Sequence, residues 1–319
     1  MQRQRFIKIL AAAAMAGLTT LAYAQTKTTR ILVAFPPGGP VDFVARTLTE
    51  QLSKELGQQV MVENKAGANG AIAADTLLKA PADGQTLWLT SVGAVAINPS
   101  LYAALPYDPV RDLAPVSLVV NNVEMLVVNP NNPVHGPQEF IAAARQKSTT
   151  MASSGTGSVP HLAMELLADA TRADLIHVPY KGAAPAITDV MAGHVDGFFG
   201  DIPGLMGHIR SGKLKPVALA STRRHPLFPD VKTFQEIGVA GVDSDNWYAL
   251  FAHKNTSATE LDRINQAVRR TLASEAVRTK LIASGAEPSA SSSAELSALL
   301  KNDMAKWGRV IRDKKVKAD

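Results

Sequence analysis

Short apolar runs alternate with segments whose apolar residues recur at helical spacing along the chain. The runs predict strands at Ile31–Phe35, Val60–Glu63, Thr86–Thr90, Val116–Val120, Glu124–Val128, Thr150–Ser153, Leu175–Val178, Val195–Gly200, Val217–Ala220 and Trp247–Ala252. Because helical patterns lie between most of them, the order predicts an α/β fold with parallel strands. In the helical C-terminal fifth, Ser257 with Glu260 and Ser292 with Glu295 have the spacing of capping boxes.

The first predicted strand leads into a turn rich in glycine and proline, Pro36-Pro37-Gly38-Gly39-Pro40. The helix that follows has one apolar face, formed by Val41, Val44, Ala45, Leu48, Leu52 and Leu56. Gly57 then supplies a C-terminal stop. The first N–H groups of such a helix have no partner within the helix and lie at the positive end of its dipole. We therefore interpret this turn as a site for a carboxylate or a phosphate.

A second glycine-rich turn, Ser154-Gly155-Thr156-Gly157-Ser158, lies between another predicted strand and the helix that contains Leu162. Ser154, Thr156 and Ser158 add hydroxyl donors to the backbone N–H groups of this turn. The alternative for Ser158 is a role as N-cap alone, and the two roles are compatible, since a cap leaves other donors free. Neither turn fits the P-loop pattern or G-x-G-x-x-G, so a nucleotide-binding loop is not supported.

Four further residues are candidates for ligand contact, and each has an alternative role. Ser91 and Asp201 end predicted strands, at edges where ligands of open α/β sheets bind, but they are also compatible with a plain turn and a helix start. Asp42, in the first helical turn, either stabilises the helix dipole or orients the loop, a water molecule or a ligand ammonium. His161 either donates to a ligand or packs within its helix.

Two stretches, residues 116–130 and 239–254, are extended and do not resemble ordinary connections between a strand and a helix. Each is either a sheet strand alone or a crossing between two lobes. Two crossings form a hinge, which lets two lobes close over a ligand. We then expect one domain from residues 25–125 together with 246–319, and a second domain from residues 126–245.

The N-terminal segment predicts export. Arg3, Arg5 and Lys8 precede an apolar, alanine-rich run, and Ala22-Tyr23-Ala24 matches a cleavage site, so residues 1–24 are expected to be a signal peptide removed after Ala24. These three basic residues belong to that segment and no acidic residue does, which reduces the net charge from +5 to +2. The chain has no cysteine, which excludes disulfides, thiolate metal sites and cysteine catalysis.

An enzyme is the rival class of function. Ser154, Ser158, Asp201 and the histidines together contain the residue types of a hydrolase triad. The sequence has no G-x-S-x-G elbow and no H-E-x-x-H motif, and its histidines form no i,i+4 pair. We therefore expect a binding protein without metal or cofactor, and keep a periplasmic hydrolase as the alternative.

Several blocks resemble the receptors of tripartite tricarboxylate transporters, also called Bug proteins. They are FPPGGPVDFVAR, VENKAGANGAIAAD, PADGQTLWLT, NPSLYAALPYDPVRDLAPVSLV, SSGTGSVPHLAMELL, HVPYKGAAPAITDVMAGHVDGFF, LFPDVKTFQEIG and GAEPSASSSAELSALLKNDMAKWGRVIRD. The resemblance covers nearly the whole mature chain. It implies a periplasmic, two-lobed binding protein of the Venus-flytrap type (type II) that captures a small carboxylate. Lys181, within the VPYKG block, is interpreted as a surface or lobe-contact residue.

In the family, main-chain N–H groups of the first and middle glycine-rich loops hold the carboxylate, partly through ordered water. The resemblance places these contacts at Pro37 to Asp42 and at Ser154 to Ser158, although Pro37 itself lacks an N–H. It also implies a monomer that delivers its ligand to the permease subunits of a membrane transporter. A membrane sensor kinase is the alternative partner.

The expected ligand is a di- or tricarboxylate, an acidic amino acid or an aromatic acid, and the sequence does not distinguish these. No nucleic-acid partner is expected, because only one aromatic residue, Trp307, lies among the basic residues near the C-terminus. The complete set of predicted ligand-binding residues is Pro37, Gly38, Gly39, Pro40, Asp42, Ser91, Ser154, Gly155, Thr156, Gly157, Ser158, His161 and Asp201.

Overall fold

The computed structural model describes residues 27–317, which contain two separate β-sheets. The strands are β1 (Thr28–Val33), β2 (Gln59–Asn64), β3 (Thr86–Ser91), β4 (Leu113–Asn122), β5 (Glu124–Val128), β6 (Thr149–Ser153), β7 (Leu175–Pro179), β8 (Gly197–Asp201), β9 (Lys215–Leu219), β10 (Asn246–His253) and β11 (Glu287–Pro288). Every predicted strand is present, and β11 was missed because two residues form no apolar run. The predicted signal peptide and its cleavage site after Ala24 lie outside the described residues.

The α-helices are α1 (Pro40–Leu56), α2 (Ala71–Leu78), α3 (Asn98–Leu101), α4 (Pro109–Asp112), α5 (Pro137–Gln146), α6 (Val159–Thr171), α7 (Ala183–Ala192), α8 (Ile202–Arg210), α9 (Ala258–Ala273), α10 (Glu275–Ser284) and α11 (Ser293–Lys314). Gly57 ends α1 in the left-handed conformation, with φ of 66°, as predicted. The predicted capping box is complete at Ser292 and Glu295. At Ser257 only the hydrogen bond from the Glu260 N–H forms, because the Glu260 carboxylate accepts from Arg263 instead.

The first sheet has the strand order β11–β4–β10–β3–β1–β2, and the second has the order β7–β6–β8–β5–β9. β1 pairs in parallel with β2 and β3, and β6 pairs in parallel with β7 and β8. β10 and β5, in contrast, pair antiparallel with both of their neighbours. The prediction of parallel strands is therefore wrong for β5 and β10. Each of these strands follows a crossing from the other sheet, so no helix returns the chain to make it parallel.

Both faces of each sheet are buried, which explains why the strands are continuous apolar runs. In the first sheet, Ile31 and Val33 face one core cluster with Leu48 of α1, whereas Leu32 faces the opposite cluster with Trp307 of α11. The second sheet is covered on both faces in the same way. We call the parts of the chain built on the first and second sheets the first lobe and the second lobe.

The chain crosses between the lobes where β4 ends at Asn122 and β5 begins at Glu124, and again between β9 and β10. A buried polar cluster joins these crossings to the end of β8. The Asn246 amide donates to Glu124 Oε1 at 3.3 Å and to both Asp201 oxygens at 3.0 and 3.1 Å. The Tyr248 hydroxyl also donates to Asp201. The region where the chain crosses between the lobes is therefore held by side chains from three strands, β5, β8 and β10.

The two carboxyls of this cluster, Glu124 and Asp201, are both buried and close to each other. Burial raises the pKa of Glu124 well above its ordinary value, and the neighbouring Asp201 raises it further. Burial also raises the pKa of Asp201, to about 7, although hydrogen bonds from Tyr248 and Asn246 oppose this. Because Asp201 receives the larger share of the donors, we infer that Glu124 carries the proton that the pair retains at neutral pH.

We expect the substitution Glu124→Gln to reduce the loss of stability that accompanies rising pH. Folded Glu124 keeps a proton that the unfolded chain loses above about pH 4.3, so its contribution to the free energy of unfolding falls as pH rises, by at most about 1.4 kcal/mol per pH unit. Glutamine has no such proton to lose. Urea unfolding should show that the free energy of unfolding of the variant, minus that of wild type, increases from about pH 5 to about pH 8.

The matched control is Glu275→Gln, at an exposed position in the first turn of α10. The difference in free energy of unfolding between this variant and wild type should stay nearly constant over the same pH range. Unfolding free energies of Glu124→Gln and wild type that run parallel with pH would contradict a proton held on Glu124.

Candidate functional site

A cleft opens between the carboxyl ends of the strands of the two lobes. Its empty volume, including the mouth open to solvent, is about 390 Å³. Residues of both lobes and of the crossing strand β10 line it, namely Phe35, Pro40, Val41, Ser91, Ser154, Ser158, Val159, Pro160, Ala183, Phe198, Gly200, Asp201, Asn246 and Tyr248. No Lys, Arg or His belongs to this set. The walls therefore offer hydrogen-bond donors, apolar surface and one carboxyl group, that of Asp201, but no cationic side chain.

The first glycine-rich turn brings the start of α1 to the cleft. Pro40 is the first residue of α1, and the first helical hydrogen bond runs from the Phe43 N–H to the Gly39 carbonyl, at 3.0 Å. The preceding helical N–H groups, those of Val41 and Asp42, therefore have no carbonyl one turn earlier to bind. Val41 itself lines the cleft. The start of α1 is thus an arrangement that favours an anion.

Asp42 fixes the conformation of this turn. Its carboxylate is 3% exposed and accepts hydrogen bonds from the Gly38 N–H at 3.0 Å, Arg46 Nε at 2.9 Å and Asn64 Nδ2 at 2.9 Å. Burial acts to raise its pKa, but the hydrogen bonds from Arg46, Gly38 and Asn64 outweigh burial, and the pKa lies below its ordinary value. The Gly38 N–H is therefore engaged within the protein, and Asp42 orients the loop, which was one of the predicted alternatives.

The middle glycine-rich turn likewise satisfies most of its own backbone donors. The Ser158 N–H donates to the Gly155 carbonyl at 3.0 Å, and the Gly155 N–H donates to the Ser153 hydroxyl at 3.2 Å. The Ser158 hydroxyl caps α6 by accepting from the His161 N–H at 3.4 Å, so the predicted N-cap role is confirmed. Ser154, Ser158 and Val159 line the cleft. Hydroxyls and the start of α6 are thus the donors that this turn presents.

His161 supports the middle turn from within the protein. The side chain is 4% exposed, and its Nδ1 accepts a hydrogen bond from the Gly157 N–H at 3.2 Å. Its ring stacks on His177 at a centroid distance of 3.8 Å, and its Nε2 lies 3.6 Å from Glu165 Oε1. His161 does not line the cleft. Its packing within the protein fits the second of the two roles considered for it.

Only some of the predicted site residues line a cavity in the structure. Pro40, Ser91, Ser154, Ser158 and Asp201 line the cleft, and Gly155 and Thr156 line a second cavity beside it. The remaining predicted residues support the two turns without lining either cavity: Pro37, Gly38, Gly39, Asp42, Gly157 and His161.

Asn246 and Tyr248 are cleft residues that the sequence analysis missed. Both are on β10, where they alternate with Trp247, which is 3% exposed and donates from Nε1 to Asp303 at 2.6 Å. Polar side chains at alternate positions of an otherwise apolar crossing strand were the signal that could have revealed them.

The arrangement does not resemble a hydrolase site. The Ser153 hydroxyl lies 2.6 Å from His177 Nε2, but Ser153 is fully buried and cannot reach a substrate. Within residues 27–317, no group of three or more His, Cys, Asp or Glu side chains is placed to hold a metal ion. In the same part of the chain, no helix has the length and apolar character needed to cross a bilayer.

We expect Asp42→Asn to loosen the first turn. Asparagine retains one acceptor oxygen but loses the charge that binds Arg46, so the free energy of unfolding should fall by about 1–3 kcal/mol. The control is Asp75→Asn, which breaks the exposed i,i+4 pair with Lys79 and should cost less than about 0.5 kcal/mol. Urea unfolding of both variants at neutral pH tests this, and equal losses would exclude a special role for Asp42.

Comparison with known proteins identifies the family. The model of the tripartite tricarboxylate transporter family receptor matches residues 44–316. Protein BugT of Bordetella pertussis (strain Tohama I) is 35% identical over 306 residues, which cover 94% of each chain. A solved periplasmic transporter is 35% identical, with a TM-score of 0.89 over 93% of this chain and 100% of its own.

Two further solved structures contain a carboxylate. R. palustris Rpa4515, solved with adipate, is 30% identical, with a TM-score of 0.89 over 93% of this chain and 100% of its own. MatC (Rpa3494) from Rhodopseudomonas palustris, solved with bound malate, is 31% identical, with a TM-score of 0.84 over 90% of this chain and 99% of its own. The family consists of periplasmic transport receptors, which removes the hydrolase alternative. This chain therefore belongs to the tripartite tricarboxylate transporter receptor family.

Proposed function

We propose that this protein binds a small organic carboxylate in the cleft between its lobes and delivers it to a tripartite tricarboxylate-type membrane transporter. One observation carries the proposal: the starts of α1 and α6 and the hydroxyls of Ser91, Ser154 and Ser158 converge on a cleft without a cationic side chain. Backbone and hydroxyl donors at two helix N-termini favour an anion. The carboxylates in the related structures, adipate and malate, support the same ligand class.

The predicted binding residues fall into two roles under this proposal. Pro40, Ser91, Ser154, Ser158 and Asp201 border the ligand, whereas the remaining residues hold the two turns in place. Each charge-assisted hydrogen bond contributes about 1.5–3 kcal/mol. A few of them, after the cost of ordering the ligand and closing the lobes, suffice for micromolar affinity, about 8 kcal/mol.

The lobes are proposed to act as domains that close over the ligand, with boundaries close to the predicted ones at residues 125/126 and 245/246. The first domain then contains residues 25–125 and 246–319, apart from Glu124 and Met125, which belong to β5 of the second sheet. The second domain contains those two residues together with 126–245. The two crossings near these boundaries support the division, because a hinge of two strands allows rotation while both sheets stay intact.

Export to the periplasm and delivery to permease subunits are also part of the proposal. The basic and apolar pattern of residues 1–24, followed by a cleavage motif after Ala24, supports export. We propose that the monomer presents its closed lobes to the permease. No observation on the described residues favours a sensor kinase as the partner.

The direct experiment is calorimetric titration of mature protein, residues 25–319, with mono-, di- and tricarboxylates, acidic amino acids and aromatic acids. We expect at least one class to bind with micromolar affinity and to raise the melting temperature progressively with the concentration of the acid. The acid should be recovered chemically unchanged. Absence of binding by every class, after denaturation and refolding to remove any bound ligand, would contradict the proposal.

Gly39→Val tests the location of the site. Gly39 has an ordinary backbone conformation, with φ of −80°, and a Cβ there would meet only the Pro36 carbonyl, at 3.6 Å. The protein should therefore fold, while the side chain crowds the N–H groups at the start of α1 and reduces affinity at least about tenfold. Gly38 is less suitable, because its φ of +84° would strain any side chain.

Gly136→Val is a matched control, since Gly136 is also an extended N-cap followed by proline, at the start of α5. A Cβ at Gly136 has only Gln138 within 4 Å, at 4.0 Å. This variant should bind the ligand as wild type does. Unchanged affinity in Gly39→Val would place the ligand elsewhere in the cleft.

A further inference from the structure

We propose that Lys181 forms a second anion subsite beside the cleft and binds the distal carboxylate of a dicarboxylate ligand. This inference rests on the proposed function, because it places the first carboxylate of the ligand at the starts of α1 and α6. It assigns a residue of this chain to the second carboxylate of acids such as the adipate and malate seen in the related structures.

A second cavity adjoins the cleft and provides the space for such a ligand. Its empty volume, including its open mouth, is about 630 Å³, and it shares Phe35 and Ser154 with the walls of the cleft. Its other walls come from both lobes, with Ala68 and Asn69 on one side and Thr156 on the other. A ligand anchored at Ser154 therefore has this cavity next to it.

Lys181 is the only basic side chain among the residues that line the two cavities. Within residues 27–317, no carboxylate forms an ion pair with its ammonium group. Lys181 thus brings an uncompensated positive charge to the wall of the second cavity.

The position of Lys181 depends on the glycine that follows it. Gly182 has φ of +119°, and a Cβ there would lie 2.6 Å from Pro36 Cδ. Only glycine lets this turn of the second lobe come so close to the first glycine-rich turn. Lys181 therefore lies next to the contact between the lobes, which was one of its two predicted locations, and in the wall of the second cavity.

The charges on the two sides of Ser154 favour one direction for a dianion. On the cleft side, the Asp201 carboxyl lines the wall, and its negative form would repel a second carboxylate. On the other side, the Lys181 ammonium can form a charge-assisted hydrogen bond with that carboxylate, and the bond strengthens when the closing lobes exclude water. A methyl group in the same place offers the ammonium no such hydrogen bond.

Calorimetric titration with matched pairs of acids tests the subsite. Each linear diacid from succinate to pimelate is paired with the monocarboxylate of equal carbon number, such as adipate with hexanoate. We expect wild-type protein to bind at least one diacid about tenfold or more tightly than its partner. Lys181→Met should remove this preference and leave the affinity for the monocarboxylate within about twofold of wild type, whereas Lys181→Arg should retain the preference.

Lys79→Met, at a lysine whose side chain is 76% exposed, is the control for loss of a positive charge and should bind as wild type does. Thermal unfolding without ligand checks that each variant is folded. The subsite is refuted, and the proposed function kept, if diacids and monoacids bind wild type equally or if Lys181→Met retains the preference. Failure of all acids in both this series and the wider carboxylate panel would refute the proposed function as well.

Discussion

The hydrogen bonds that Asp42 accepts are the interaction on which the cleft depends. They connect the Gly38 N–H of the first turn, the Arg46 side chain of α1 and the Asn64 side chain of β2. A buried carboxylate with three donors is stable as the anion, so its charge is compensated locally. As a result, the turn is rigid before any ligand arrives, and an acid next to an anion site does not repel the anion as an isolated charge would.

The sequence was a good guide where the relevant contacts are local. Strands, the two glycine-rich turns and the cap at Ser158 depend on residues a few positions apart, and these were predicted correctly. The cluster of Glu124, Asp201 and Asn246 was missed, because it joins residues separated by up to 122 positions. The sequence also could not predict which backbone N–H groups are already engaged within the protein. The Gly157 N–H, for example, donates to His161 Nδ1, and this depends on the orientation of the imidazole ring.

Recognition of an anion without a cation in the main cleft has a physical advantage for a transport receptor. Helix N-termini and hydroxyls offer donors in fixed directions, and they do not require a charged side chain to be buried when the lobes close. The carboxylate in the main cleft can also be released without breaking a desolvated ion pair, since no Lys, Arg or His lines that cleft. An exposed Lys181 at the edge keeps its hydration until a ligand reaches it, so it adds selectivity at a small cost in desolvation.

Backbone contacts limit how closely the two lobes approach each other. A Cβ at Gly182 would lie 2.6 Å from Pro36, and a Cβ at Gly204 of α8 would lie 3.1 Å from Pro40. At both points the second lobe rests on a proline ring of the first lobe, and neither surface has a rotamer with which to adjust. The distance between the lobes at these two points is thus set by glycine backbone packed against proline rings. Substitutions of side chains in the cleft walls can therefore change the chemistry of the cleft without changing this distance.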